Sequence, residues 1–181
     1  MECAAARAAV GYALPMPMPQ QVVAEAMGLL NAGREADAKA MLTALVATKP
    51  TDPEANKWLA MIAGAHEDDA TASFHLRRAV IGNPKDPELR FMLANTLLNQ
   101  HKFKDAAGAY RECTRLVPNH VDAFDGLGKC LVSLDQLAEA LRAFRKAIDV
   151  APGHPRPYSN LARVQMVLGD MKGACATALE G

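Results

Sequence analysis

Apolar and small residues in this chain recur at steps of three and four, the spacing of one helical face. Within residues 121–132 they are Phe124, Leu127, Gly128 and Leu131. Within residues 137–150 they include Ala140, Phe144 and Ala147. A polar stretch, Ser133–Gln136, separates the two stripes, and Ala151-Pro152-Gly153 closes the second. Proline cannot continue a helix and glycine allows the chain to reverse. The pattern predicts two antiparallel helices, A and B, each of about fourteen residues.

The pair is repeated. Pro50, Pro84, Pro118 and Pro152 stand 34 residues apart, and Ala38, Ala72, Ala106, Ala140 and Ala174 keep the same interval. Two residue types on one period mark a tandem array. Cutting at that period gives units 19–52, 53–86, 87–120 and 121–154, and an incomplete unit 155–181. Four of the five begin with proline, whose fixed φ and missing N–H suit the first turn of a helix. Asp52 and Asp86 directly precede such prolines and are candidate caps, and His120 and His154 hold the same place later. Residues 1–18 stand apart from the array. Glu2–Leu14 is expected to form a short helix packing on the first unit, and Pro15, Pro17 and Pro19 an extended linker.

Numbered within a unit, position 8 reads Ala26, Ala60, Ala94, Gly128 and Ala162. Position 7 reads Glu25, Leu59, Leu93, Leu127 and Leu161. Position 20 is the alanine already noted, and position 24 reads Leu42, Leu76, Tyr110, Phe144 and Ala178. Position 27 reads Leu45, Ala79, Cys113, Ala147 and Gly181, with proline at position 32 of the first four units. This signature resembles the tetratricopeptide repeat over residues 19–181. The resemblance implies an all-α, right-handed solenoid of four complete helix pairs plus a truncated fifth. It implies a protein or peptide partner held against the A helices, and no cofactor.

Three departures from the pattern stand out. Glu25 replaces leucine, which makes the first helix A the least regular. His66-Glu67-Asp68-Asp69 occupies a turn where glycine is usual, and is expected to be a solvated loop rather than a metal site even with His75 nearby. Helix B of the last unit is expected over Ala174–Glu180, about two turns, too short to stand alone. Its apolar face expects a cover, from further chain or by self-association with a neighbouring molecule.

Composition narrows the function. Half of the 181 residues are apolar and few are aromatic, which suits close-packed helices. Twenty basic residues balance twenty acidic ones without a basic run, so neither nucleic acid nor an anionic membrane is an expected partner. No apolar run approaches the ~18 residues of a membrane span. Glu2 and Arg7 argue against a secretion signal, and a cytoplasmic location is expected, with the periplasm as alternative. Cys3, Cys113, Cys130 and Cys175 form no CxxC pair. They are expected as reduced thiols in the core, a Cys113–Cys130 bridge being the alternative. There is no phosphate loop, GxSxG, HExxH or EF-hand pattern, so neither catalysis nor a bound metal is expected.

The resemblance places the ligand along positions 2, 5, 9 and 12 of helix A. The candidate groove residues are therefore Lys57, Met61, Phe91, Asn95, Asp125, Lys129, Ser159 and Arg163. The polar members among them are expected to be free of core duty, so that a ligand sets their identity. The family's clamp for a chaperone C-terminus is not matched: Lys57 fits, but Met61, Met92, Asp122 and Gly126 do not. The leading expectation is an adaptor that binds an extended peptide or a partner helix. The alternatives are the N-terminal arm of a bacterial sugar or sulfuryl transferase and a small secretion chaperone.

Positions 8 and 20 are where helices A and B are expected to cross most closely, so a larger side chain there must push the backbones apart. Ala106→Leu is expected to destabilise the protein by roughly 1–3 kcal/mol. Thermal unfolding checks this, and an unchanged melting temperature contradicts the register.

Overall fold

The chain's structure is a computed structural model that describes residues 18–181. The expected Glu2–Leu14 helix, Pro15, Pro17 and Cys3 lie outside the described residues. Ten helices follow in strict alternation. The A helices are α1 (Pro19–Asn31), α3 (Pro53–Ala65), α5 (Pro87–Asn99), α7 (Val121–Ser133) and α9 (Pro155–Val167). The B helices are α2 (Glu35–Thr48), α4 (Asp69–Gly82), α6 (Phe103–Leu116), α8 (Leu137–Val150) and α10 (Met171–Glu180). Each helix packs against its neighbours in sequence, and the result is a helical-repeat solenoid. No described helix is long and apolar enough to cross a membrane.

Small side chains set the helix spacing. Ala38, Ala106 and Ala140 are fully buried, as are the larger residues one turn on, Leu42, Tyr110 and Phe144. At Gly128 an added Cβ would lie 2.4 Å from the Phe144 ring, so only hydrogen fits between α7 and α8. A Cβ at Gly126 would meet the Tyr110 ring at the same distance, so the junction between units three and four is equally tight. Cys113 and Cys130 are buried free thiols, and burial pushes Cys130 up to about 11, which leaves it inert. Cys175 departs from the expectation: it is free but exposed, on the outer side of α10 away from buried Ala174 and Thr177.

The turns inside units repeat one geometry that the sequence conceals. Gly33, Glu67, His101, Asp135 and Gly169 all have positive φ and stand 34 residues apart. Each follows a helix A whose end is tied by a paired bond, as where Asp68 N donates to Ala63 O at 3.0 Å and Glu67 N to Gly64 O at 3.1 Å. Three of the five lack glycine and tolerate the left-handed conformation because this pair of bonds fixes it.

Caps match the sequence in part. Asp52 accepts from Ala55 N at 2.9 Å, Asp86 from Glu88 N at 2.9 Å, and His120 Nδ1 from Ala123 N at 3.3 Å. His154 makes no such bond. Two expectations are corrected. Helix α1 is regular despite Glu25, which lies on its exposed side. Helix α10 begins at Met171 rather than Ala174, because Asp170 caps it by accepting from Gly173 N at 2.9 Å.

The polar residues around the second unit's entrance tie chain segments together. Asn56 is fully buried and its amide donates to Pro50 O at 3.0 Å and Asp52 O at 2.8 Å. Its Oδ1 lies 2.9 Å from His75 Nδ1. His75 is thus engaged with Asn56, while His66 pairs with Glu35 at 2.6 Å, so the acidic turn and its two histidines do not converge on one point. Burial, with Arg78 and Lys39 nearby, holds His75 below the ordinary histidine value.

Two outcomes follow. The folded state binds a proton at His75 less readily than the unfolded chain does. Its contribution to stability is therefore complete above about pH 6.5 and is lost as pH falls through the lower folded value. Urea titrations from about pH 7 to 5 are expected to show stability falling with pH, with a flatter slope in His75→Gln; equal slopes contradict the assignment. The second outcome concerns two helical glycines. A Cβ at Gly82 would lie 1.9 Å from Thr51 O, whereas nothing lies within 4 Å at Gly108. Gly108→Ala is expected to stabilise by roughly 0.5–1 kcal/mol and Gly82→Ala to destabilise, as read by denaturant midpoints.

Candidate functional site

Helix α1 touches α3, α5 touches α7, and α7 touches α9, whereas each B helix from α2 to α8 packs on the A helices to either side. The A helices therefore run closest together and line the inner side of the array. All eight predicted groove residues lie on them, from Lys57 on α3 to Arg163 on α9.

The inner face is cross-braced from unit to unit. Lys57 Nζ lies 2.7 Å from Glu88 Oε2, which joins α3 to α5. Burial opposes the charge on Lys57. The hydrogen bond and attraction of Glu88, with Glu54 and Asp86 behind it, outweigh burial and hold its pKa above the ordinary value. Further along, Asp122 pairs with Arg156 and joins α7 to α9. Asp125 is 3 % exposed, and it accepts from Asn160 Nδ2 at 2.6 Å while pairing with Lys129 Nζ at 2.6 Å. Arg163 in turn donates to Asn160 Oδ1 at 3.0 Å. The result is one chain of four side chains, Lys129–Asp125–Asn160–Arg163, across the junction of the last two units.

This corrects the expectation that core duty leaves the polar residues free. Asp125 is buried because Gly126 and Gly128 bring α7 close to its neighbours, and a carboxylate there must be paired. Asn95 accepts from the Tyr110 hydroxyl, so its amide oxygen is committed inside unit three. Burial, followed by the influence of Cys130 and Asp125, keeps that phenol protonated well above its ordinary range. Phe91 is half-buried and packs 4.5 Å from the His120 ring and 6.0 Å from the Tyr110 ring, centroid to centroid. It fills the gap between α5 and the start of α7.

Four of the eight keep an outward role. Met61 is 42 % exposed, Ser159 and Arg163 are exposed, and Lys129 is partly so. Met27, in the corresponding place on α1, is exposed too. The inner face thus passes from thioether surface on α1 and α3 to a cationic end on α7 and α9. Glu88, Asp122 and Arg156 stand at position 2 and so belong to this face by register, whereas Asn160, at position 6, and the pairings among these residues were missed. A search for complementary side chains about one unit apart would have found them, because Lys57–Glu88 and Asp122–Arg156 stand 31 and 34 residues apart. The same spacing logic links the B helices, where Arg77 meets Asp105 and Arg111 meets Glu139, each at 3.0 Å. Those pairs are half-exposed and worth little singly. Among the described residues no group of three or more His, Cys, Asp or Glu side chains is placed to hold a metal ion.

Comparison with known proteins agrees with this architecture. A family model described as "Anaphase-promoting complex, cyclosome, subunit 3" matches residues 65–147, and one described as "Tetratricopeptide repeat" matches residues 126–180. The U-box domain-containing protein 70 of Oryza sativa subsp. japonica is 30% identical over 87 residues, 48% of this chain and 11% of that protein. The Hsp70-Hsp90 organizing protein 3 of Arabidopsis thaliana is 28% identical over 87 residues, 48% of this chain and 16% of that protein. The chain therefore spans only a small part of the curated relatives it matches. Among solved structures, MamA superposes with a TM-score of 0.79 at 18% identity, over 86% of this chain and 91% of MamA. YrrB, described as a TPR protein with an unusual peptide-binding site, superposes with a TM-score of 0.80 at 19% identity, over 88% of this chain and 82% of YrrB. At such identities the likeness is one of fold. The helix alternation, the period and the two family models agree, and together they support a tetratricopeptide repeat array.

Proposed function

We propose that this array is a non-catalytic scaffold that holds an extended peptide, or one face of a partner helix, along its inner A helices. The observation that carries the reading is the division of labour on that face. Lys57, Asn95 and Asp125 are spent on bracing the units, while Met27, Met61, Ser159 and Arg163 stand exposed beside them. Bracing keeps the face rigid before a ligand arrives, which lowers the ordering cost of binding. Methionine adapts its shape to varied apolar side chains. Arg163 donates to a neutral amide, so its charge is available to a carboxylate. The preferred ligand is a segment with an apolar anchor toward α1 and α3 and an acidic residue toward α9.

The likeness to the chaperone organizing proteins supports a protein partner in general. It does not extend to a clamp for a chaperone C-terminus, because Met61 and Gly126 stand where polar donors are required and Asn95 is committed to Tyr110. The buried free thiols Cys113 and Cys130 suit a reducing compartment, and we place the protein in the cytoplasm on that ground.

A peptide-array screen followed by calorimetry tests the reading. Hits are expected to bind at least about tenfold more weakly to Met61→Asp and to Arg163→Glu, a loss of about 1.4 kcal/mol, with the melting temperature of Met61→Asp unchanged. Hits insensitive to both substitutions overturn it.

A further inference from the structure

An apolar hollow lies at the start of the array rather than on its inner face. It measures about 510 Å³ and lies between α1 and α2, lined by Pro19, Val22, Met41, Ala44 and Leu45, with Glu25 also in its wall. The walls match positions that, in later units, meet the preceding unit. Val22 corresponds to Asn56, which bonds Pro50 O, and to Arg90, which bonds Pro84 O at 3.0 and 2.9 Å. Thr48, also in the wall, corresponds to Gly82, which sits against Thr51 of the unit before it. The hollow is thus the surface against which a preceding helix B and its loop would pack.

The same period names the occupant. Stepping back 34 residues from α2, Glu35–Thr48, gives residues 1–14. Ala38 maps to Ala4, so the alanine series extends one step further toward the start. The loop Pro50-Thr51-Asp52 maps to Met16-Pro17-Met18, which joins α1 with the same number of residues. Val46, one of the residues through which α2 packs on α3, maps to Tyr12. We propose that residues 1–14 occupy this hollow, in the place that the helix B of a preceding unit would take. Terminal units of a solenoid need such a cover because one of their faces lacks a neighbour. The segment is favoured over a second copy or a foreign peptide because it is covalently joined at the rim, at Met18, by a linker of matching length.

Hydrogen–deuterium exchange on the full chain tests the proposal. Amides of residues 8–14 are expected to be protected in the parent protein. Ala44→Glu and Val22→Asp, which place a charge in the hollow, are expected to reduce that protection about tenfold or more while leaving α5–α9 unchanged. Dilution of the parent is expected to change nothing. Unprotected residues 8–14 in the parent, or protection unaltered by both substitutions, overturns the proposal. Protection that disappears on dilution also overturns it, since the occupant is then a second copy's segment.

Discussion

Helices A and B of each unit approach only as closely as the side chains between them allow, and the whole array depends on those being small. Alanine at position 20 and alanine or glycine at position 8 set the separation, and position 24 fills the space beside the crossing. The contact of Gly128 with Phe144 is the limiting case, where a single methyl group has no room. Because every unit obeys the same limit, the A helices stack at regular intervals and one continuous face results.

That close approach also dictates the polar chemistry of the face. Drawing α7 against α6 and α9 removes Asp125 from water, and a buried carboxylate must find partners. Lys129 and Asn160 supply them, and Asn160 passes the connection to Arg163. The braces cross from unit to unit, so they fix the angle between neighbours as well as stabilising each. A solenoid held by nearest-neighbour contacts alone is otherwise free to flex along its length. The ligand-facing residues are those left over once this bracing is complete.

Much of the fold was legible in the sequence, because it is written in local terms. Proline at the helix starts, aspartate before it at Asp52 and Asp86, and small residues on one period each have a single physical reading. Glu67, His101 and Asp135 were not legible as left-handed turn residues, since only Gly33 and Gly169 carry the usual mark. The site was legible by position but not by role. A residue's place on the inner face follows from the register, whereas its partner lies 15 residues away for Asn95 and 31 to 35 for Lys57, Asp122 and Asp125, and depends on how helices and units stack. Asn95 and Asp125 therefore looked free for a ligand until Tyr110 and Asn160 were placed beside them.

The central claim is that the exposed residues of the A helices form one recognition face while the B helices carry the array. Amide chemical-shift mapping during titration with the best peptide of a library screen tests it most directly. The account predicts shifts concentrated on α1, α3 and α9 around Met27, Met61 and Arg163, with the outer sides of α4, α6 and α8 silent. Shifts centred on those outer B-helix surfaces, with the inner face unmoved, would contradict it.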